Sequence, residues 1–581
     1  MNNSKTEEFA FLLDPMEYKT IPCQRTCPLH IDISSYMYLI ARGRFDEAIE
    51  VIRRTNPFPS ICGRICPHNC EMGCTRTHVD RPASICKVER AASDYGRYAK
   101  IIAKDLNIGE KVAIIGSGPC GLTAALDLVR TGYRVTVFEK APVIGGTVRL
   151  GIAPFRLPHD VVDKEIQYII DMGVEMRTNT TIGKDIDFEE LRKEYNAIFI
   201  AAGAYYGGHL HVHDRHIEGV INGATFMTRV NTRKKVDIRG REVVVLGGGY
   251  TAVDAARTSI RLGAKEVSIV FSRPRKDMTN PEEELEATEE EGANFYLLSM
   301  PTKIISDSNN RVNGLECIKV EMKGRDELGR KVAAPIKGSE FIIDADVIIN
   351  ALSTAPDVTF LPKNLDFQFS RHGLLTANPK TLAASVPGVF IGGDYLTGTR
   401  DVVNSIADGH KAALSIDSYL RQGEEAPKSS DVKIYEIALP GMQEDYEAIK
   451  RRNMPIQDPK ERIENFKEVE LGLSKEDAVQ EAQRCLQCNN MWTLIDDLCI
   501  QCGQCVDACP RECLSIAELN QEQKNQFFYE GLSLKEEKIS PISITMKLCI
   551  RCGVCADVCP NDAIVFRSCE PTSIKVLQPV T

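Results

Sequence analysis

Residues 111–139 read KVAIIGSGPCGLTAALDLVRTGYRVTVFE, and this segment predicts the architecture of the middle of the chain. A strand of β-branched residues leads into the glycine-rich loop 116–121, a helical pattern follows, and a second strand ends in Glu139. Glycines at such a turn let backbone N–H groups approach a pyrophosphate at the start of the helix, and the acid accepts hydrogen bonds from an adenosine ribose. The segment therefore predicts a βαβ unit that binds a dinucleotide.

A second unit of the same kind occupies residues 242–272. The strand EVVVL leads into three glycines and a helix, and the strand EVSIVF then ends at Ser272, where the first unit has an acid. Basic residues follow directly, in the sequence SRPRK. The missing acid and the added cations fit a 2′-phosphate, which favours NADP(H) over NAD(H); the alternative is a solvated basic loop. The residues expected at this nucleotide are Gly247, Gly248, Gly249, Thr251, Ala252, Arg273 and Arg275.

Two dinucleotide loops in one chain predict a division of labour, with FAD at the first and the nicotinamide at the second. Residues 389–394, VFIGGD, form a later strand that ends in an aspartate able to bond a flavin hydroxyl. The NADP(H) unit would then be inserted between two halves of the FAD domain. Hydride transfer is flavin chemistry, so no catalytic side chain is expected. The residues expected at FAD are Gly116, Gly118, Pro119, Gly121, Glu139, Lys140, Gly146, Gly392 and Asp394.

The C-terminal region carries the same cysteine motif twice. Residues 499–510 read CIQCGQCVDACP and residues 549–560 read CIRCGVCADVCP, which is C-x2-C-x2-C-x3-C-P in both cases. In this pattern the fourth cysteine usually ligates the other cluster, so two [4Fe–4S] clusters are expected rather than zinc sites. The ligands expected are Cys499, Cys502, Cys505 and Cys559 for one cluster, and Cys549, Cys552, Cys555 and Cys509 for the other.

The 21 cysteines gather at the two ends of the chain, with seven in residues 23–86 and twelve in 485–569. Dense groups of this kind indicate metal or redox chemistry in a reducing compartment, and we hypothesise an oxygen-sensitive protein of anaerobic metabolism. The net charge of −10 argues against nucleic acid as a partner. No apolar run approaches the ~20 residues of a membrane span, and no signal-peptide core is present, so a cytoplasmic protein is expected.

Between the two cysteine-rich ends only Cys120 and Cys317 occur. Disulfide reductases with two dinucleotide units need a cysteine pair near the flavin, and residues 121–316 contain none. We therefore expect Cys120 to be a packing residue and disfavour a disulfide reductase.

The motifs GSGPCG, FEKAPVIGGTVRLGIAPFRLP, AAGA, VVVLGGGYTAVDAARTSIRLGAKEV and VFIGGD resemble the small subunit of NADPH-dependent glutamate synthase and its relatives. Those relatives include the flavoprotein part of dihydropyrimidine dehydrogenase and the large subunit of electron-bifurcating NADH-dependent ferredoxin:NADP oxidoreductase. The resemblance covers about residues 20–420. It implies a helical cysteine-rich domain before the FAD and NADP domains. It also implies hydride transfer from nicotinamide C4 to flavin N5, with electrons leaving through iron–sulfur clusters.

The N-terminal cysteines follow the family pattern in part. The resemblance implies that Cys27, Cys66, Cys70 and Glu89 hold the cluster nearer the flavin, and that Cys23 and Cys74 are two ligands of a second. The C-x2-C that precedes them in the family is absent, because residues 14–20 read DPMEYKT. One hypothesis is that Cys62 and Cys86 complete the second cluster with Cys23 and Cys74. Another is that Cys86, and not Glu89, closes the first cluster and that no second cluster forms.

Residues 461–488, ERIENFKEVELGLSKEDAVQEAQRCLQC, resemble the segment that precedes this C-x2-C in many relatives, although here they follow the flavin domain. One hypothesis is that Cys485 and Cys488 reach back to Cys23 and Cys74. The alternative is a third C-terminal site made with Cys513 and Cys569. Three or four [4Fe–4S] clusters are therefore expected.

These patterns predict a multidomain α/β protein. The expected domains are a helical Fe–S domain (1–105), the first part of the FAD domain (106–235), the NADP(H) domain (236–352), the second part of the FAD domain (353–420), a linker (421–484) and a ferredoxin-like α+β domain (485–581).

The expected function is an FAD-dependent NADP(H) oxidoreductase subunit that exchanges single electrons with ferredoxin or with Fe–S and flavin subunits of a hetero-oligomeric complex. An electron-bifurcating transhydrogenase or hydrogenase complex is the favoured setting. The alternatives are a glutamate synthase small subunit, an NADPH-dependent reductase of a soluble acceptor, and a non-catalytic electron conduit.

Overall fold

The computed structural model describes residues 21–97, 109–207, 217–325, 331–352, 354–370, 374–422, 434–436, 446–488, 490–495, 498–516, 542–544, 549 and 552–569. Among the helices within these ranges, none is both long and apolar enough to cross a membrane. The described residues form two compact units. Unit 1 takes them from Met1–Ala99, Lys428–Met454 and Gly472–Lys575, and unit 2 takes them from Lys100–Pro427, Pro455–Leu471 and Val576–Thr581.

The strands within these ranges are β1 (Lys111–Ile115), β2 (Arg134–Phe138), β3 (Glu175–Arg177), β4 (Ala197–Ile200), β5 (Tyr206–Gly207), β6 (Val220–Asn222), β7 (Glu242–Leu246), β8 (Glu266–Phe271), β9 (Ala293–Leu297), β10 (Ser299–Ser306), β11 (Val312–Arg325), β12 (Lys331–Ile343), β13 (Val347–Asn350), β14 (Thr354–Ala355), β15 (Val389–Ile391), β16 (Ile434–Glu436), β17 (Asn490–Leu494), β18 (Leu514–Ile516), β19 (Ile542–Ile544) and β20 (Ile564–Cys569).

The α-helices are α1 (Pro22–Thr26), α2 (Ile33–Ile40), α3 (Phe45–Arg53), α4 (Pro59–Ile65), α5 (Asn69–Met72), α6 (Ile85–Tyr95), α7 (Pro119–Arg130), α8 (Thr147–Leu150), α9 (His159–Asp171), α10 (Phe188–Glu194), α11 (Gly223–Asn231), α12 (Tyr250–Arg261), α13 (Glu282–Glu290), α14 (Asp394–Thr397), α15 (Val402–Gln422), α16 (Pro459–Arg462), α17 (Lys475–Ala482), α18 (Gln504–Asp507) and α19 (Val554–Asp557). Short 3-10 helices lie at Thr75–His78, Arg275–Asp277 and Tyr446–Ala448.

The first nucleotide unit is built on a five-stranded sheet of order β15-β4-β1-β2-β3. Its strands are parallel, and β1 is buried on both sides, as expected for a strand covered by helices. Strand β15 follows the whole second nucleotide unit in sequence, yet it pairs with β4 through Val389 and Ile198. This pairing confirms that one nucleotide domain is inserted between two halves of the other.

The inserted domain has its own parallel sheet, of order β6-β13-β7-β8-β9. Its core contains the alternate residues Val243, Val245, Val267 and Ile269 on one face, packed against buried alanines of α12. A three-stranded antiparallel sheet, β10-β11-β12, lies beside it and was not predicted from the sequence. The predicted multidomain α/β fold is confirmed, and this extra sheet is an addition to it.

Unit 1 contains helices α1–α6 and the C-terminal strands. The amphipathic residues 31–53 form α2 and α3, and Asp32 caps α2 by accepting a hydrogen bond from Ser35 N at 3.2 Å. The C-terminal part has one sheet of order β16-β20-β17 and a two-stranded sheet of β18 and β19. Each cysteine motif contains a short helix, α18 or α19, that begins after a glycine.

Within the predicted linker 421–484, the described residues 434–436 and 446–484 are folded, which corrects the prediction for them. Strand β16 pairs antiparallel with β20 of the C-terminal domain. Residues 446–454 and 472–488 belong to unit 1, where Tyr95 Oη donates to the Leu473 carbonyl at 2.9 Å. Residues 455–471 belong to unit 2, where Val469 N donates to the Phe155 carbonyl at 2.8 Å. The polar composition of this segment led to the prediction of a linker, because the contacts made by its few apolar and charged residues are not visible in the sequence.

A buried carboxylate in unit 2 anchors residues 455–471. Glu291 accepts hydrogen bonds from Arg257 at 2.6 Å, from Arg261 at 2.6 Å and from Arg462 at 2.7 Å, and its side chain has no exposed surface. Arg261 also lies 3.8 Å from the centroid of the Phe155 ring. Burial alone would raise the pKa of Glu291, but the hydrogen bonds from Arg257 and Arg261 lower it to about 2.

We predict that Glu291→Gln lowers the free energy of unfolding at pH 7 by about 3–5 kcal/mol, because it leaves buried guanidinium groups without their anion. The ordinary pKa of this carboxyl is 4.5, and its pKa is lower in the folded protein. The carboxyl therefore stabilises the fold fully above pH 4.5, and this stabilisation is lost as the pH falls from 4.5 towards about 2. The difference in the free energy of unfolding between wild type and variant should therefore become smaller below about pH 4.5. Urea unfolding followed by far-UV circular dichroism measures both effects.

The matched control is Glu290→Gln. Glu290 is 57% exposed and pairs only with Arg462 among the ion pairs of the described residues, so its loss should cost less than about 1 kcal/mol. An equal cost for both variants, or a gap that does not depend on pH, would contradict the role given to Glu291.

Candidate flavin, nicotinamide and iron–sulfur sites

Glu139 ends β2 and closes the first glycine-rich loop. Its Oε2 accepts hydrogen bonds from Ser117 N at 3.1 Å and from Ser117 Oγ at 2.6 Å, and its Oε1 accepts one from Ala141 N at 2.8 Å. Gly145 N in turn donates to Ser117 Oγ at 3.1 Å. A carboxylate has about four acceptor positions, so Glu139 is oriented by the protein and can still accept from a ribose hydroxyl.

The glycines of this loop leave room for a pyrophosphate. Gly116 has a φ of 107°, and a Cβ on Gly121 would lie 2.2 Å from the Gly116 carbonyl oxygen. A Cβ on Gly146 would lie 2.8 Å from Gly118 Cα, whereas a Cβ on Gly118 would meet nothing within 4 Å. Pro119 is the first residue of α7, whose N-terminus follows this open space. The loop therefore fits the phosphate-binding role predicted for it.

Asp394 lies at the end of the last strand of the same sheet. Burial raises the pKa of Asp394 to about 6, although the Arg400 backbone N–H, which donates to Oδ1 at 3.0 Å, opposes this shift. A carboxyl of this kind can exchange hydrogen bonds with a flavin hydroxyl. Lys140 Nζ lies 5.3 Å from the centroid of the Tyr205 ring. This contact fixes Lys140 beside the loop that contains Glu139.

Cys120 is a packing residue, as expected. It is 4% exposed, and its Sγ would lie 3.4 Å from a Cβ on Gly392 and 3.2 Å from a Cβ on Gly393. A Cβ at either position would make a tight contact with its neighbours, so glycine suits both positions beside the α7 helix. The thiol thus defines the close packing of helix and strand at the flavin loop.

The second glycine loop has the same construction. Gly247 has a φ of 134°, and a Cβ on Gly248 would lie 2.6 Å from the Phe271 ring. Gly249 precedes α12, in which Ala252 is fully buried and Thr251 faces Gly223. The loop therefore allows a nucleotide to approach the backbone at the start of α12.

The two arginines expected at the 2′-phosphate differ in their surroundings. Arg275 Nε pairs with Glu282 at 2.7 Å and its Nη1 with Glu289 at 2.7 Å, so its charge is already neutralised by helix α13. Arg273 has a longer contact, 3.7 Å from Nη1 to Asp277 Oδ2, and its side chain is 32% exposed. This geometry favours Arg273 as the phosphate ligand, while the pairing of Arg275 with two acids weighs against the role expected for it.

Helices α4–α6 and the loop after α1 bring a first group of thiols together in unit 1. Cys86 shares hydrogen bonds with Cys66 and Cys70. Burial raises the pKa of Cys27, and the proximity of Cys70 and Glu89 adds to the shift. We call Cys27, Cys66, Cys70 and Cys86 the first thiol group.

Glu89 lies beside this group but has a partner of its own. Its Oε1 accepts a hydrogen bond from Asn56 Nδ2 at 2.8 Å, and Asn56 Oδ1 accepts one from Cys62 Sγ at 3.6 Å. The hypothesis that joined Cys62 and Cys86 to Cys23 and Cys74 does not match this arrangement, because Cys86 contacts Cys66 and Cys70 and Cys62 contacts Asn56.

A second group of thiols combines cysteines from opposite ends of the sequence. Burial raises the pKa of Cys23, and the neighbouring thiols Cys74, Cys485 and Cys488 raise it further. Burial likewise raises the pKa of Cys74 to about 11. The four thiols line one cavity in unit 1, whose other walls are Ile21, Ile33, Ser34, Met37, Thr75, Arg76, Ala83, Ile85 and Leu486. We call Cys23, Cys74, Cys485 and Cys488 the second thiol group.

Buried ion pairs fix the position of Cys485 and Cys488. Arg76 and Arg484 are 1% and 0% exposed, and both bind Asp80, at 2.7 Å and 2.9 Å. Arg76 Nη1 also donates to the Arg484 carbonyl at 2.8 Å, directly before Cys485. Glu481 of α17 accepts from Ser84 N at 2.8 Å. These contacts hold residues 481–488 against the N-terminal helices.

One of the two sets expected among the C-terminal cysteines lies around a single cavity. Cys499, Cys502, Cys505 and Cys559 line this cavity, together with Gly503 and Pro560. Cys509, Cys549 and Cys555 belong to an apolar cluster that also includes Cys499, Cys505 and Cys513, whereas Cys552 packs against the apolar cluster that contains Cys488. We call these the third and fourth thiol groups, the fourth being Cys509, Cys549, Cys552 and Cys555.

The alternative of a third C-terminal site does not match the structure. Cys485 and Cys488 lie with Cys23 and Cys74, and the Cys513 Sγ lies 3.3 Å from Cys509 Sγ. The backbone of Cys569 pairs with Ile434 at the end of β20. The contact between Cys513 and Cys509 was missed in the sequence, although the spacing C-P-x-x-C after the first motif was a signal for it.

Comparisons with known proteins identify families for three segments of the chain. Residues 16–101 match the dihydropyrimidine dehydrogenase domain II, 4Fe-4S cluster family, residues 110–409 match the pyridine nucleotide-disulphide oxidoreductase family, and residues 498–563 match the 4Fe-4S dicluster domain family. The three matches contain the N-terminal thiols, the two nucleotide loops and the third and fourth thiol groups, whereas Cys485 and Cys488 lie between the second and third matches.

Three curated relatives extend over most of the chain. The beta subunit of NADP(+)-dependent formate dehydrogenase from Moorella thermoacetica is 34% identical over 510 residues, which is 82% of this chain and 72% of the relative. The beta subunit of NADPH-Fe(3+) oxidoreductase from Geobacter sulfurreducens is 35% identical over 518 residues, 81% and 75% respectively. The glutamate synthase [NADPH] small chain of Escherichia coli is 33% identical over 418 residues, 68% and 88% respectively.

The chain belongs to the glutamate synthase small-subunit-like family, as its motifs indicated. It is an NADPH-dependent iron–sulfur flavoprotein oxidoreductase that uses FAD and NADP(H) and carries [4Fe–4S] clusters at its N- and C-terminal ends. The glycine loops and the buried thiols described above fit these groups.

We predict that Arg273→Ala raises the KM for NADPH by about 10- to 100-fold, because a charge-assisted hydrogen bond to the 2′-phosphate contributes about 1.5–3 kcal/mol. The KM for NADH should hardly change, since NADH has no 2′-phosphate. Steady-state oxidation of each nucleotide with an artificial acceptor measures both values.

Arg275→Ala is the matched control. Its side chain is already paired with Glu282 and Glu289, so the KM for NADPH should rise by less than about 3-fold, which corresponds to about 0.6 kcal/mol. A larger effect at Arg275 than at Arg273 would assign the 2′-phosphate to Arg275 instead.

Proposed function

We propose that this chain is the NADPH-linked subunit of a larger redox complex and exchanges electrons with a partner subunit through four [4Fe–4S] clusters. The observation that carries this proposal is the arrangement of unit 1. Cys552 of the fourth thiol group packs against the apolar cluster that contains Cys488 of the second. Electrons can pass in either direction along such a series, from NADPH to the partner or from the partner to NADP⁺.

The nucleotide domains supply the two-electron part of this function. FAD, when bound, accepts a hydride from NADPH and releases its electrons singly, which the clusters carry onward. The role of the protein is to bind and orient FAD and NADPH. Glu139 and the first glycine loop would hold the adenosine half of FAD, and Asp394 would form a hydrogen bond with a flavin hydroxyl. Gly247–Gly249 and Arg273 hold NADPH.

The N-terminal and C-terminal thiols supply the one-electron part. The ligand sets that we propose are the four thiol groups, each with the four sulfurs that a [4Fe–4S] cluster requires. Cys86 is the proposed fourth ligand of the first group because it contacts both Cys66 and Cys70. In the second group Cys485 and Cys488 take the place of the C-x2-C that the family has before Cys23.

The names of the relatives support a partner subunit. Two of them are beta subunits, of a formate dehydrogenase and of an Fe(3+) oxidoreductase, and their similarity covers 82% and 81% of this chain. The glutamate synthase small chain covers 68%. A partner that carries its own redox centre and accepts electrons from an Fe–S cluster, as ferredoxin does, is therefore the class that we propose.

An electron-bifurcating complex of the transhydrogenase or hydrogenase type is the second candidate. Iron–sulfur sequences on both sides of the flavoprotein, at residues 16–101 and 498–563, favour two electron exits. Bifurcation requires that NADPH oxidation reduces ferredoxin only together with a high-potential acceptor. Independent reduction of either acceptor by the purified complex would exclude it.

We predict that the anaerobically reconstituted chain binds about sixteen irons, four for each thiol group, and that NADPH bleaches its flavin. The double variant Cys485→Ser, Cys488→Ser should bind about twelve irons and lose one low-temperature EPR signal. Its flavin should still be bleached by NADPH, because both residues lie in unit 1 and the nucleotide loops lie in unit 2. Iron analysis, visible absorbance and EPR provide the three readouts.

Cys62→Ser is the control, since Cys62 is a buried thiol bound to Asn56 and serine keeps this hydrogen bond. It should retain the full iron content. If the Cys485/Cys488 variant also kept all its iron, these residues would not be ligands. If neither NADPH nor NADH bleached the wild-type flavin, the chain would be an electron conduit and not an oxidoreductase that oxidises NADPH.

A further inference from the structure

The two halves of the C-terminal domain repeat one backbone geometry. Helix α18 begins after Gly503, with a φ of 79°, and α19 after Gly553, with a φ of 85°. Further along, Glu512 and Asp562 both have left-handed φ angles, 47° and 49°. The sequence offsets are equal, so each residue of the first half has a counterpart fifty residues later.

The turn after each motif returns a backbone N–H to the last cysteine of that motif. Cys513 N donates to Cys509 Sγ at 3.4 Å, and Ala563 N donates to Cys559 Sγ at 3.2 Å. The two sulfurs thus receive the same backbone hydrogen bond. What differs is the side chain of the donor residue, which is a thiol in the first half and a methyl group in the second.

The Cys513 thiol is placed to add a second hydrogen bond. Its Sγ lies 3.3 Å from Cys509 Sγ and contacts Cys549, and the residue is 5% exposed. A separation of 3.3 Å is well beyond the ~2.05 Å of a disulfide. It suits an S–H···S hydrogen bond, and Cys513 lies outside the C-x2-C-x2-C-x3-C-P motif that supplies the expected ligands.

We propose that the Cys513 thiol donates a hydrogen bond to the Cys509 sulfur and thereby raises the reduction potential of the cluster held by the fourth thiol group. A donor to a ligand sulfur stabilises the reduced cluster, which carries the extra negative charge, more than the oxidised one. The cluster of the third thiol group has Ala563 at the equivalent position and lacks this donor. Cys513 is a positioning residue, not a ligand.

With this asymmetry, an electron shared by the two C-terminal clusters would reside mainly on the cluster of the fourth thiol group, which has the higher reduction potential. Its member Cys552 is the one that packs against the apolar cluster containing Cys488. An electron arriving from the second thiol group would thus meet the higher-potential cluster of the pair first. The inference rests on the ligand sets of the proposed function.

The test is an EPR-monitored titration of the full, reconstituted chain with dithionite, for wild type and three variants. In Cys513→Ala one midpoint potential should move lower while the iron content stays at that of wild type. Cys513→Ser keeps an O–H donor, so it should restore part or all of the shift. Ala563→Cys places the same thiol on the other half and should move the other midpoint higher.

The outcomes separate the possibilities. Unchanged midpoints in Cys513→Ala, or a shift that Ala563→Cys does not mirror, would overturn the proposal. A loss of about four irons in Cys513→Ala, or full iron content in Cys509→Ser, would make Cys513 a ligand and would overturn it as well. Dithionite bypasses the nucleotide sites, so a failure of NADPH to reduce the flavin would affect the proposed function and not this test.

Discussion

The buried pairing of Arg76 and Arg484 with Asp80 is the interaction on which the arrangement of unit 1 depends. Both guanidinium groups are inaccessible to solvent, and burying two such charges is unfavourable unless each finds a partner. Asp80 and several backbone carbonyls provide these partners, among them the Arg484 carbonyl itself. The interaction specifies one position for residues 484–488, and therefore for the sulfurs of Cys485 and Cys488, which are 462 and 465 residues away from Cys23 in sequence.

An arrangement of this kind would allow a proposed ligand pair to reach the cavity of Cys23 and Cys74 from a distant part of the chain. The family pattern has a C-x2-C shortly before the first N-terminal cysteine, and this sequence has none there. Helix α17 brings Cys485 and Cys488 to the same cavity from the C-terminal side. A site of four thiols requires four sulfurs at the right separation and does not depend on the direction from which the chain arrives.

The nucleotide sites could be predicted from the sequence because their chemistry is local. Gly116, Gly118 and Glu139 lie within one βαβ unit, whose spacing follows from strand and helix geometry alone. The difference between Arg273 and Arg275 could not be predicted, since it depends on which acids of α13 reach each guanidinium group. The folded state of residues 446–484 could not be predicted either, because it depends on contacts between residues that are distant in sequence. Glu291 and Arg462, for example, come into contact only in the folded protein.

Buried cysteines are often no more than small apolar residues that fill the core. The second thiol group differs physically from cysteines of that kind. Its sulfurs line a cavity instead of filling one, and they lie near enough that each thiolate would repel the others. Burial and neighbouring thiols raise the pKa of Cys23, Cys74 and Cys485, which opposes the ionisation of these thiols. On the ligand set that we propose, bound iron would stabilise the four thiolates by its positive charge, and binding would release their protons. Assembly of the cluster would then be coupled to the docking of residues 481–488 on the N-terminal helices.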